Sequence, residues 1–167
     1  MPLTDDPPEI EVRTHYRYVI SLRLRHPNAD PAYFTQQLAL TPRSAWQAGS
    51  PRRTPTGTKL SGVYKNTYWS APVLQGRWPQ TLNEGLQEVL AQLQPHRLFL
   101  RTLRDESGSA ELFVGWFFDH QSGEVLSYDV MQMAGDLAID ISLDIYPPDQ
   151  PQNIRHDIPT LSSDASV

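Results

Sequence analysis

The sequence predicts a single α+β domain with a ferredoxin-like βαββαβ core, a C-terminal αβ unit, and one sheet covered by helices on one face. Two alternating strands, one near residue 20 and one over residues 139–146, and a helix that opens with a capping box support this prediction. The order of the first six elements matches the split βαβ arrangement. A length of 167 residues suits one domain.

The first strand is the clearest signal. Apolar residues occupy every second position from Tyr16 to Leu24, and Arg17, Arg23 and Arg25 lie between or just beyond them. A period of two buries one face of a strand and leaves the other in solvent. We therefore expect the solvent face of this strand to be basic.

The next elements follow from local composition. Asp30 with Pro31 opens a short helix as N-cap and first helical residue. A short strand is expected around Trp46. Residues 49–59 are rich in glycine, proline and basic side chains, which is typical of a loop. Residues 64–70 are rich in aromatic and β-branched side chains, which favours a strand.

The second half of the sequence predicts two longer helices and two strands. Thr81 with Glu84 forms a capping box at the start of the best helix. Residues 111–118 are almost all apolar, as expected of a central strand covered on both faces. Ser127 caps the last helix, and residues 139–146 alternate as a strand whose three isoleucines and Leu143 face inward.

The ends of the sequence differ from the middle. Residues 1–13 are acidic and proline-rich, and residues 147–167 are rich in proline, serine and aspartate, so both predict disordered tails around a domain at 14–146. No apolar run is long enough to span a membrane, and the start lacks a secretory signal. The absence of cysteine excludes disulfides and thiolate metal sites. We expect a cytoplasmic protein.

Charge is unevenly distributed within the expected domain. Residues 14–77 hold nine basic residues and one acid, whereas residues 78–146 hold three basic residues and eleven acids. One interpretation is that the halves neutralise each other, with cross-strand ion pairs from the first strand to Asp140 and Asp144 if the first and last strands are neighbours. The other is an anionic partner for the basic half.

Signatures of catalysis are not found. The five histidines are scattered without metal-ligand spacing, and no Gly-x-Ser-x-Gly or phosphate-binding motif occurs. The sequence therefore predicts no catalytic residue, no metal site and no cofactor. Nucleic-acid binding is disfavoured because the protein is acidic overall and residues 112–118 lack the RNA-binding pattern of open ferredoxin-like sheets.

The basic loop is the candidate binding site. Arginine side chains suit carboxylates or phosphates, and nearby aromatic residues would give the composition of an interface hot spot or a small anion pocket. The alternative is a solvated turn with its tryptophans in the core. The sequence leaves open whether Trp46, Tyr64 and Trp69 lie in the core or on the surface. The candidate site residues are Arg52, Arg53, Lys59, Tyr64 and Trp69.

Several stretches together resemble a bacterial family catalogued as domain of unknown function number four-two-seven-nine. The resemblance covers about residues 15–147, and its most specific part is the Gly-x-Pro-Arg-Arg-x-Pro-x-Gly stretch at 49–57, followed by Tyr64 and Trp69. Further matching stretches lie at 20–27, 111–116 and 143–147. The resemblance implies a bacterial origin and an α+β fold, and it implies no reaction.

These observations favour a non-catalytic domain that binds another protein, with an immunity- or antitoxin-like role as the most concrete version. The alternative is a sensor or enzyme that binds a small anionic metabolite through residues 51–59. A third possibility is homodimerisation through a sheet edge.

Overall fold

The computed structural model describes residues 16–118 and 123–146. The strands there are β1 (Tyr16–His26), β2 (Ser44–Trp46), β3 (Pro51–Arg53), β4 (Lys59–Val63), β5 (Thr67–Arg77), β6 (Ser109–Phe118) and β7 (Ile139–Tyr146). The α-helices are α1 (Pro31–Leu38), α2 (Leu82–Leu93), α3 (Arg97–Asp105) and α4 (Tyr128–Asp136), with a short 3-10 turn before α3. The predicted tails at 1–13 and 147–167 lie outside the described residues.

Five strands form a mixed sheet in the order β2-β5-β1-β6-β7. Strand β1 lies at its centre and runs antiparallel to both β5 and β6. Strands β6 and β7 are parallel and are connected through α4, as a parallel pair requires a crossover. The α+β class is therefore confirmed.

The prediction of a single sheet is wrong, because β3 and β4 form a second, two-stranded sheet within the stretch predicted as a loop. Its turn is closed by the backbone N–H of Thr54, which donates to the carbonyl oxygen of Thr58 at 2.8 Å, and Gly57 adopts φ +90° there. The glycine and proline content thus belongs to a hairpin turn. The strand expected at 64–70 begins at Thr67 and continues to Arg77.

The ferredoxin-like detail is not confirmed, because the two neighbours of β1 are both antiparallel to it and β2 lies at the sheet edge. The cross-strand pairs expected from β1 to Asp140 and Asp144 are also wrong as stated. Strand β6 lies between β1 and β7, so the neighbours of the β1 arginines are β5 and β6 rather than β7.

The helices cover one face of the five-stranded sheet: α1 and α2 contact β5, α3 contacts β6 and α4 contacts β7. Alternate residues of β1, from Tyr16 to Leu24, are buried against them, as its period of two predicts. The predicted caps are confirmed. Asp30 accepts a hydrogen bond from the Ala32 backbone at 2.8 Å, and the Thr81–Glu84 capping box is complete.

One aromatic residue fixes the distance between sheet and helix layer. Tyr18 lies against Gly76 of β5 and Gly85 of α2, and a Cβ at either glycine would lie within 2.3 Å of its ring or hydroxyl. The Tyr18 hydroxyl donates to the carbonyl oxygen of Thr81 at 3.0 Å, at the start of α2. The aromatic ring therefore positions α2 on the sheet.

Candidate functional site

The sheet has a second face, which points away from the helices and which we call the open face. Because side chains alternate along a strand, the pairing register assigns its residues directly. They include Arg17, Val19, Ser21, Arg23 and Arg25 on β1, Trp46 on β2, Tyr68, Ser70 and Arg77 on β5, Glu111, Phe113 and Phe117 on β6, and Asp140, Ser142, Asp144 and Tyr146 on β7.

One row of the open face is a stack of an arginine and two aromatic rings. The guanidinium of Arg17 lies 4.0 Å from the centroid of the Phe117 ring, and that ring stacks on Tyr146 with centroids 4.5 Å apart. The hydroxyl of Tyr146 donates to Asp144, and this hydrogen bond raises the pKa of Tyr146. The row joins β1, β6 and β7 through their side chains.

The central row contains Arg23, which has no carboxylate partner among the described residues. Arg23 lies 3.3 Å from the centroid of the Phe113 ring. Glu111 is opposite Arg23 in the register, yet its two oxygens accept from Arg25 at 3.1 Å and from Ser142. Within residues 16–118 and 123–146, the Arg23 guanidinium makes no ion pair, and its Nε is buried without a hydrogen-bond partner.

The third row ends in a groove. Arg25 lies 5.4 Å from the ring centroid of Tyr68, which stacks on Trp46 at 4.3 Å, and Trp46 stacks in turn on Tyr64 at 4.8 Å. A cavity of about 430 Å³ opens beside this stack. We call it the groove, and its lining residues are Arg23, Arg25, Trp46, Tyr64, Lys65, Asn66, Thr67 and Tyr68.

Of the residues predicted as a site, Tyr64 is the one that lines the groove. Its hydroxyl accepts from the Arg53 backbone N–H and donates to the Arg53 carbonyl, both at 3.1 Å, which ties the β3–β4 hairpin to the groove. Arg52, Arg53 and Lys59 are exposed on that hairpin, outside the groove. The Arg53 guanidinium donates to the carbonyl oxygen of Gly57 at 3.1 Å.

The structure places Trp69 away from the other predicted site residues. Its indole is fully buried on the helix side of the sheet, and its Nε1 donates to the hydroxyl of Thr35 in α1 at 2.9 Å. Trp46 is half-buried and lies on the open face. The question that the sequence left open is answered: Trp69 is core, whereas Trp46 and Tyr64 border a surface groove.

Comparison with known families gives one match. A family model described as Domain of unknown function (DUF4279) matches residues 14–148. The chain belongs to this family. No curated protein and no solved structure matches it. The resemblance seen in the sequence is thereby confirmed, and the family description adds no activity to the geometry of this DUF4279 domain.

The described part of the DUF4279 domain contains neither a cluster of metal-ligating side chains nor a helix suited to span a membrane. No group of three or more metal-ligating side chains occurs in residues 16–118 and 123–146. In the same residues, no helix combines the length and the apolar character needed to cross a membrane.

Two tyrosines have a strongly raised pKa. Burial disfavours the phenolate and raises the pKa of Tyr16 and of Tyr18 to about 12. Both tyrosines lie on the helix side of the sheet.

The open-face residues that sequence reasoning missed as a site are Arg23, Arg25 and Tyr68. Their signal is present, because all three fall at solvent-facing positions of alternating strands. What joins them is the pairing of β1 with β5, which a single sequence does not state. The loop at residues 49–59, by contrast, was predicted as a site from its composition alone.

Proposed function

We propose that this domain is a non-catalytic protein-binding module and that its binding surface is the open face. The observation behind the proposal is the stacking of Arg17, Arg23 and Arg25 on aromatic rings. Arginine, tyrosine, tryptophan and phenylalanine are enriched where protein partners bury their hot spots. Rings and stacked guanidinium groups lose little conformational entropy on binding, which favours affinity.

Charge supports a partner with an acidic surface. Among the described residues, Arg25–Glu111 is the one arginine–carboxylate pair that joins the basic and acidic halves of the domain. The basic character of β1 is therefore largely left for an external partner, and such a charge increases the association rate. Nucleic acid is a weaker fit, because Glu111, Asp140 and Asp144 share the face and repel phosphates.

An immunity- or antitoxin-like role in a bacterial cytoplasm is the most concrete form of the proposal. Its support is analogy: the protein has 167 residues and a net charge of −5, and bacterial immunity proteins are often of this size and acidity. The open face supplies the surface on which such a partner would sit.

The second candidate function is a sensor or enzyme that binds a small anionic metabolite through residues 51–59. Three cations on one hairpin, Arg52, Arg53 and Lys59, favour it. We rank it second because all three are exposed and none lines the groove. The Arg53 guanidinium already donates to a backbone carbonyl.

The proposal is tested by capture of the partner with variants on three surfaces. The tagged protein and its variants Arg17→Glu on the open face, Lys59→Glu on the hairpin and Arg101→Glu on α3 are incubated with nuclease-treated lysate of the source cells. Mass spectrometry quantifies what each retains. We expect one protein near stoichiometry that Arg17→Glu releases and Arg101→Glu keeps.

Two results would contradict the proposal. Equal capture by Arg17→Glu and Arg101→Glu would exclude the open face as the binding surface. If Lys59→Glu alone releases the captured protein, the binding site lies on the hairpin and not on the open face. The second candidate function is then tested by thermal denaturation of the protein with a panel of anionic metabolites. A ligand at one hundred times its dissociation constant stabilises by about 2.7 kcal/mol.

A further inference from the structure

Arg23 differs from the other arginines of β1 in what surrounds its charge. Its guanidinium lies flat on Phe113 at 3.3 Å, and the carboxylate opposite it in the sheet, Glu111, is committed to Arg25 and Ser142. A half-buried cation without a carboxylate is poorly screened by solvent, so an incoming anion gains more there than at an exposed site.

The groove places a second cation near this one. Lys65 lines the groove together with Arg23, and Lys65 is exposed without an ion pair among the described residues. Because the Nε of Arg23 is shut off from solvent, an anion in the groove meets the terminal nitrogens of the guanidinium. Their fork geometry suits the two oxygens of a carboxylate.

We propose that the groove binds a carboxylate of the protein partner, held by Arg23 and Lys65 and bordered by the rings of Tyr64 and Tyr68. This inference rests on the proposed protein-binding function. Proteins offer the carboxylate in two ways, from the side group of an aspartate or glutamate and from the carboxyl terminus of the polypeptide. The chemistry recognised is the same in both.

A monoanion fits the groove better than a phosphate. Glu111 pairs with Arg25 at the edge of the groove, and its side chain is only 18% exposed, so its negative charge acts through protein more than through water. A dianion would meet stronger repulsion from this carboxylate than a monoanion would. The neighbouring rings also favour a ligand that presents apolar atoms beside its charge.

The test follows the Nε–H signal of Arg23 by NMR in the ¹⁵N-labelled full-length protein. The probes are N-acetylglutamate α-methylamide for the carboxylate of a glutamate residue and N-acetylalanine for a carboxyl terminus. Their neutral counterparts are N-acetylglutamine α-methylamide and N-acetylalanine methylamide, and inorganic phosphate is a fifth probe. The Nε–H signal of Arg17, on the same face but outside the groove, is the internal control.

We expect a saturable shift of the Arg23 signal with at least one carboxylate probe and none with the neutral amides or at Arg17. Arg23→Lys keeps the positive charge but removes the forked guanidinium, and we expect it to lower the affinity for that probe by about tenfold. Lys65→Gln, at an exposed position without an ion pair among the described residues, should weaken the binding of that probe without affecting the fold. Arg101→Lys, on α3 and outside the open face, should leave the affinity unchanged. Which carboxylate probe binds identifies the source.

A phosphate that binds more tightly than both carboxylates, or an Arg23 signal that no probe moves, would overturn the assignment. The capture experiment separates this failure from that of the proposed function. If Arg17→Glu still releases the captured partner while Arg23→Lys and the probes have no effect, the carboxylate site is wrong and the open face remains the interface. If Arg17→Glu also has no effect, the proposed function fails as well.

Discussion

Replacing Gly85 by alanine should destabilise this protein, although alanine is the better helix former. Gly85 is the fourth residue of α2 and is buried against the aromatic ring of Tyr18. A Cβ there would lie 2.3 Å from the Tyr18 hydroxyl oxygen and 2.7 Å from Cε2, against 3.4–4 Å for ordinary contact. Tyr18 cannot move away, because Gly76 contacts its ring from the sheet and its hydroxyl is bonded to Thr81.

The expected magnitude is the difference of two effects. Overpacking a fixed core position costs about 3 kcal/mol at the upper end of its usual range, which applies because the ring is confined by both layers. The higher helix propensity of alanine offsets this cost by about 1 kcal/mol. The net loss of about 2 kcal/mol corresponds to a fall of about 6 °C in Tm for a protein of this size.

A matched control lies in α4. Gly135 is exposed near the end of that helix, and a Cβ there meets nothing within 4 Å. Gly135→Ala should therefore raise the free energy of unfolding by about 0.5–1 kcal/mol. The two glycine substitutions thus have opposite expected signs for the same chemical change.

The assay is urea denaturation in a double-mutant cycle with Tyr18→Leu. In the Tyr18→Leu background the ring is gone, so Gly85→Ala should be neutral or stabilising and the coupling free energy should be about 2–3 kcal/mol. A coupling near zero would refute the packing argument, as would a Gly85→Ala variant that is stabilised like Gly135→Ala.

Three further predictions concern stability. Burial raises the pKa values of Tyr16 and Tyr18 from 10.0 to about 12. Their contribution to stability is therefore complete below about pH 10 and is lost as the pH rises through 12; chemical denaturation across this range should show the fall, and Tyr16→Phe should reduce it. Thr81→Ala removes the capping box of α2 and should cost about 1 kcal/mol in urea denaturation. Trp69→Phe should cost about 1–3 kcal/mol, because it removes a hydrogen bond and leaves a cavity, and should not change partner capture.

Much of the fold could be predicted because local signals act within a few residues. The caps at Asp30, Thr81 and Ser127 satisfy the first backbone N–H groups of their helices, and the structure confirms all three. The alternation along β1 likewise follows from burial on one face, whereas in β7 the predicted inward residues Leu143 and Ile145 are exposed. None of these inferences needs knowledge of which strand lies beside which.

Strand order was the step that sequence could not supply. Whether β1 has β6 or β7 as a neighbour depends on long-range packing, and the charges were consistent with either. The hairpin at β3–β4 was missed because the glycine and proline content of its turn is equally typical of a loop. Trp46 and Trp69 both lie in strands, so composition alone does not separate them. Trp46 pairs with Tyr68, and Tyr68 is the neighbour of Trp69 along β5. Neighbouring residues of a strand point to opposite faces, so Trp46 and Trp69 lie on opposite faces of the sheet.

The composition of the open face is hard to explain by stability alone. A solvent-facing sheet surface is stabilised adequately by threonine, serine and paired charges, which also limit aggregation. This domain instead holds half-buried rings such as Phe113, Phe117 and Trp46 on that surface. Among the described residues, it also leaves Arg23 without a carboxylate, because Glu111 bonds to Arg25 and Ser142. Large apolar groups and an uncompensated cation on a free surface are costs that a bound partner removes, because it would bury the rings and supply the missing charge.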